Sequence, residues 1–333
     1  ISQIQVNTYS CNPDAIPAQV AELRRLGQAA IITELTTIPP YVTAWLSLQT
    51  EFGRNVEVAG IIKSVFVEEM LHLSLAANFM NSIGGTVNLT NIAMLPQYPT
   101  PLGSGTIFDL IPGVYVSIEP MSPGLARDLF AKIETPANKK EQFKSEYKKT
   151  EAPFIDALSL SPLEFWATDS SPTIFTGDVS KQVDMKQWLN PEKPLFPIID
   201  LQRAIEAVIE IVYQGEGGSA CTPFIGEQTK KNPNPEKSHY YRFLEIANQK
   251  QVVKMKVPDG WNAGLVCMNI TGEDGVWPLV RDPQNGMYDK NTKAWRLNQE
   301  FNNAYTTLLK CLEKGFGGKP DLIKGCYSYM YDL

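Results

Sequence analysis

The segment Val67-Glu-Glu-Met-Leu-His-Leu73 sets an acid and a histidine three residues apart inside an apolar run. It limits what the chain can fold into more than any other stretch. The 333 residues hold only two histidines, and both sit in the same local pattern, Glu69-Met-Leu-His72 and Glu236-Lys-Ser-His239. Residues three apart on a helix share a face, so each pair can present a carboxylate and an imidazole to one point. Around the first pair, Val58, Ile62, Val65, Glu69, His72, Ala76, Phe79 and Ile83 recur at alternating spacings of four and three, the seam of a packed helix. A charged group in such a seam is costly unless it is paired or bound to a cation.

The same periodicity marks further helices. Over 14–50 the seam reads Val20, Leu23, Gly27, Ala30, Glu34, Thr37 and Tyr41, with Pro39-Pro40 predicting an interruption or kink. The helix over 55–83 stops at Gly84-Gly85. Ile198, Leu201, Ile205, Val208 and Val212 give a stripe over 198–214, closed by Gly215. Pro235 opens a helix over 235–249 with the seam Glu236, His239, Phe243 and Ile246. The expected architecture is therefore mainly α, a four-helix bundle in one domain.

Carboxylate-bridged dinuclear centres in such bundles take one Glu from each of two helices and a Glu-x-x-His from each of the other two. The order here is Glu34, then Glu69 with His72, then an acid on 198–214, then Glu236 with His239. Both Glu206 and Glu210 qualify on the third helix. Glu210 is preferred, because it lies one turn from Gly215 and an antiparallel neighbour of Glu236 should contribute near its own end. The competing reading is a pair of satisfied core histidines with internal salt bridges. Glu68 falls off the seam and reads as a solvated acid or one that supports a ligand from behind. Tyr41 and Tyr213 stand near seam acids and are candidates for a redox role, core packing being the bland alternative. Histidine and carboxylate donors suit two ions of iron or manganese; zinc fits the donors and is redox-silent.

Residues 86–196 form a long, partly irregular insertion between the second and third helices. It is rich in proline, with a short strand in VYVSIEP (114–120) and a helix in LARDLFAKI (125–133). A C-terminal extension, 251–333, reads as loop-rich to 290 and then as an amphipathic helix over 294–316 through Leu297, Phe301, Tyr305, Leu308 and Leu312. The formal charge is −6 and basic residues form no run, so nucleic acid and anionic membrane surfaces are not expected as partners. No apolar stretch is long enough to span a bilayer, and the N-terminus has no signal-peptide pattern. Cys11, Cys221, Cys267, Cys311 and Cys326 are widely spaced without a Cys-x-x-Cys, which predicts reduced thiols in a cytoplasmic protein. The sequons at Asn88 and Asn269 keep secretion open.

At these residues the chain resembles the ferritin-like domain family, whose best-known enzyme relative is iminophenylpyruvate dimer synthase of violacein biosynthesis. The likeness rests on TELTTIPPYVTAWLSL (33–48), VEEMLHLSLAANFMNSIGG (67–85), LPQYP (95–99), IVYQGEGG (211–218) and SHYYRFLEI (238–246), and extends to the C-terminal helix. It implies a ferritin-like bundle and an ExxH-based di-metal centre carried onto Glu34, Glu69, His72, Glu236 and His239. Relatives often have an acid where this chain has Tyr213, which implies either that Glu210 serves instead or that the metal site is altered. The resemblance further implies an oxidoreductase that uses O₂ on a small, amino-acid-derived substrate. The alternatives are a pigmented protein holding a metal or modified tyrosine without turnover, and iron storage, which the long insertion disfavours. A small homo-oligomer is compatible with either of the first two.

Overall fold

The computed structural model describes residues 16–102, 113–135, 174–188, 195–216, 236–254, 261–265 and 275–330. Two long antiparallel neighbours, α1 (Ile16–Leu46) and α2 (Val56–Ser82), pack along one another and form the frame. From Val65 to Ser82 nearly every residue of α2 is buried. Over that span it is the central rod, apolar on all sides except where Glu68, Glu69, His72 and a few uncharged polar residues interrupt it. Gly84 takes a φ of +66° at its end, and Gly85 N–H donates to the Met80 carbonyl at 2.9 Å. That is how a left-handed glycine satisfies terminal carbonyls.

Pro39 and Pro40 lie inside α1, which continues to Leu46. Pro40 has no N–H for the carbonyl of Thr36, four residues back. The Tyr98 hydroxyl, from the LPQYP stretch, donates to that carbonyl at 2.9 Å. A tertiary contact thus replaces the missing helical bond, and the chain does not break there.

After α2, strands β1 (Thr100–Pro101) and β2 (Tyr115–Val116) pair antiparallel. Pro123–Leu125, Ala126–Phe130 and Ala131–Ile133 then run on as one helical stretch, α3, capped by the Ser122 hydroxyl and wound as a π turn in its middle. Helix α4 (Leu201–Glu216) and helix α5 (His239–Asn248) complete the layer opposite α1, and α5 packs against α2, α3 and α4.

A hairpin follows in the stretch expected to be loop-rich: β3 (Lys250–Lys254) and β4 (Trp261–Leu265) pair antiparallel from Lys250↔Leu265 to Lys254↔Trp261. Helix α6 (Lys293–Phe316) returns across α2 and is joined to α7 (Ile323–Cys326). The reduced state expected of the cysteines is corrected here. Cys311 and Cys326 form a disulfide across Cα atoms 5.6 Å apart, because the turn after Phe316 folds α7 back on α6. Cys11, Cys221 and Cys267 lie outside the described residues. Among the described residues no helix is long and apolar enough to cross a membrane.

Candidate metal centre

The two imidazoles meet in the interior. Their ring centroids are 5.6 Å apart and the planes are inclined by 27°. Glu34 from α1, Glu69 and His72 from α2, Glu134 from the end of α3 and His239 from the start of α5 converge on the space beside them. They form two overlapping donor sets, Glu34 with Glu69 and His72, and Glu69 with Glu134 and His239, each with ligating atoms within 4.8 Å of one another. Glu69 is common to both. His72 Nδ1 lies 3.7 Å from Glu34 Oε2 and 3.8 Å from Glu69 Oε1. His239 Nδ1 lies 2.8 Å from Glu69 Oε1 and 3.6 Å from Glu134 Oε2.

The neighbours leave these atoms facing inward. Thr37 Oγ1 donates to Glu69 Oε2 at 2.9 Å, and the Tyr41 hydroxyl donates to Glu134 Oε1 at 2.6 Å. One oxygen of each carboxylate is thereby engaged and the other faces the histidines. His72 Nε2 meets Gln214 Oε1 at 2.9 Å, and His239 Nε2 meets Glu68 Oε2 at 2.8 Å. Both outer nitrogens face acceptors, which favours a proton on Nε2 and turns Nδ1 of each ring toward the acids.

The fit to metal ions is tested by His239 Nδ1. It is fully buried and no hydrogen bond reaches it with acceptable geometry, although carboxylate oxygens surround it. A buried nitrogen aimed at acids without a well-aligned hydrogen bond is a position that a cation can take in place of a proton. Three carboxylates and two imidazoles are the donor chemistry of iron, manganese and zinc sites.

The charges bear this out in the metal-free chain. Burial raises Glu34 to about 7, a bond from Glu69 opposing and the Glu134 charge adding. Burial, then the charges of Glu134 and Glu34, raise Glu69 to about 8. Burial also works to raise Glu134, but the bonded and charged His239 and the Tyr41 hydroxyl outweigh it and the group is lowered. For His239, burial pulls down, yet Glu134, Glu68 and Glu69 overcome it and push the ring well above the ordinary histidine range. His72 is lowered, chiefly by burial. Tyr41 is raised well above an ordinary tyrosine by burial and by the acids around it. Protons thus stand in for positive charge that the cluster of acids otherwise lacks.

Of the residues singled out in the sequence, Glu34, Glu69, His72 and His239 come together. Glu236 does not join them: its carboxylate is part-exposed and pairs with Arg242 Nη2 at 2.8 Å. Helix α5 begins only at His239, so Glu236 is not on the same helical face. Glu206 is turned to the outer side of α4, where it pairs with Arg203 at 2.7 Å and Gln202 at 3.0 Å. Glu210 accepts from the Gln214 amide and so stands behind His72, one residue removed from the donors. Glu68, expected either in solvent or in support, is buried and holds His239. Tyr41 supports Glu134; the side chain of Tyr213 lies outside the described residues.

Glu134 is the residue that the sequence reading passes over. Its signal was present: Ala126, Phe130 and Glu134 follow at intervals of four in LARDLFAKIE, a seam ending in an acid. The π turn in α3 obscures the run by adding a residue to the turn. The glycine after Gln214 also has a role beyond capping. A Cβ on Gly215 would lie 3.2 Å from Glu134 Oε2, so a side chain there would press on the carboxylate and shift it by a few tenths of an ångström.

A solved structure described as a ferritin-like protein from Caulobacter vibrioides aligns with 90% of this chain and 87% of its own, at a TM-score of 0.55 and 20% identity. At that identity the likeness speaks for the fold. No curated protein matches the chain. Residues 28–248, the span that holds Glu34, Glu69, His72, Glu134 and His239, match the family described as Ferritin-like, and the chain belongs to that family.

Proposed function

We propose that the chain is a di-metal oxidoreductase, with iron as the expected metal, acting with O₂ on a small substrate. The observation that supports this most is the pair of donor sets sharing Glu69. A shared carboxylate is the arrangement that holds two cations side by side. When bound, a redox-active pair supplies the activation of O₂ or the polarisation of a substrate.

The chain's own residues would do the rest. Glu69 would bridge, Thr37 fixing its far oxygen. Glu34 with His72 and Glu134 with His239 would hold one ion each. Gln214 and Glu68 would orient the two rings. Tyr41, Phe130 and Phe243 are fully buried and in mutual ring contact at 4.7, 5.0 and 5.1 Å. They wall the Glu134 side and exclude water, which strengthens every charge interaction inside. The substrate class, a small amino-acid-derived imine or aromatic metabolite, rests on the resemblance to iminophenylpyruvate dimer synthase.

The test is metal content and O₂ uptake after anaerobic loading with Fe²⁺. Wild type should hold two irons per chain and consume O₂ on exposure to air. Glu69→Ala should lose both ions, His72→Ala or His239→Ala chiefly one. If Glu69→Ala keeps two irons, or loaded wild type consumes no O₂, the proposal is wrong.

A further inference from the structure

The two donor sets look alike, with one imidazole, one carboxylate of their own and one carboxylate shared. What stands behind the imidazoles is different. His72 Nε2 meets a neutral amide oxygen, Gln214 Oε1, at 2.9 Å, and the other end of that amide donates to Glu210 Oε1. His239 Nε2 meets a carboxylate oxygen, Glu68 Oε2, at 2.8 Å. Glu68 is buried and is itself fixed by Arg242 Nη1, 3.1 Å from its Oε1. Arg242 Nη1 is 2.9 Å from the Ser64 hydroxyl as well, Nε donates to the Lys237 carbonyl at 2.7 Å, and Nη2 pairs with Glu236 at 2.8 Å.

Resting on the metal-centre reading above, we infer that the two positions are unequal: a transition-metal dication enters first and tighter at His239, Glu69 and Glu134, and second and weaker at His72, Glu34 and Glu69. The cause is the acceptor behind each ring. A charge-assisted bond is about twice as strong as a neutral one. A carboxylate drawing on Nε2–H pushes electron density to Nδ1 and makes it a better donor to a cation, while an amide oxygen does so far less. The His239 chain is also anchored from Ser64 and Lys237, so the ring is fixed before any ion arrives. On the His72 side the amide is held, among the described residues, by one acid of α4. Glu68 and Gln214 are thus positioning residues that set an order of filling, and the His72 position is the one from which an ion exchanges more readily.

Mn²⁺ titration of the chelator-stripped full chain, followed by electron paramagnetic resonance, reads this directly. The first equivalent should give an isolated, mononuclear signal. The second should replace it with a spin-coupled pair. Glu68→Gln should weaken the first association roughly 10–100-fold and blend the two steps. The interchange Gln214→Glu with Glu210→Gln leaves composition and net charge unchanged and places a carboxylate behind His72; it should tighten the second step by a similar factor. Coupled pairs growing in proportion from the first addition would overturn the inference, as would a first step unmoved by Glu68→Gln. The wild-type titration decides even where a variant fails to fold. An absence of Mn²⁺ uptake at any ratio would bring down the metal-centre reading itself, whereas two equal steps would leave that reading standing and remove only the order proposed here.

Discussion

Glu34, Glu69 and Glu134 lie within one buried cluster, and each is held by a different neighbour. Glu134 is the clearest case, because its two oxygens have separate tasks. Oε1 takes the Tyr41 hydroxyl at 2.6 Å, and Oε2 faces His239 Nδ1 at 3.6 Å. Without the hydroxyl the carboxylate could turn, and a buried acceptor would lose its donor. A hydrogen bond to a charged group is worth about 1.5–3 kcal/mol, and about 1.4 kcal/mol is tenfold in affinity. Tyr41→Phe should therefore bind metal roughly tenfold or more weakly, measured by competition with a chromophoric chelator, and keep its far-UV circular dichroism. The ring would remain packed on Phe130 and Phe243. An unchanged affinity would mean that Glu134 is not held by Tyr41, or is not a ligand.

Among the elements, α1 depends on a residue distant in the chain. It carries two prolines and stays helical, with Tyr98 donating to the carbonyl that Pro40 leaves open. Leaving such a carbonyl without a partner costs about 1–3 kcal/mol. Tyr98→Phe should lower the melting temperature by a few degrees and, through movement of the Glu34–Tyr41 segment, loosen metal binding; equal melting curves would show that solvent replaces the hydroxyl. The rods α1 and α2 were legible because long seams repeat in their sequence, and Glu34, Glu69 and His72 with them. Helix α4 was legible as a helix but its buried side was not. Leu201, Ala204, Ala207 and Gln214 face inward while Val212 is part-exposed, and small or amide residues leave no mark in a hydropathy pattern. That is why two acids on α4 were candidates for the ligand that α3 supplies. The Cys311–Cys326 bond was hidden for another reason: only the fold of α7 onto α6 brings the two residues within reach.

For the whole molecule, the cluster links stability to pH and metal at once. In the stripped chain Glu34 and Glu69 titrate at about 7 and about 8, against about 4.3 in an unfolded chain. Between those values the folded state binds more protons than the unfolded, so its stability falls as pH rises through the window. His239, raised by its acid neighbours, acts in the same direction. Glu134 is lowered, so its contribution is complete above the ordinary carboxylate range and flat near neutrality. His72 opposes only below about 6.5: a lowered histidine gains stability as pH rises toward the unfolded value and adds nothing above it. Bound cations replace the protons and remove the loss, and they bind better as the acids deprotonate. The gap in melting temperature between Mn²⁺-loaded and chelator-stripped protein should widen from pH 6.5 to 8.5, mostly because the stripped chain weakens. Paired thermal melts at a few pH values measure it. A gap that stays constant or narrows would show that protons at Glu34 and Glu69 do not hold the place of the metal.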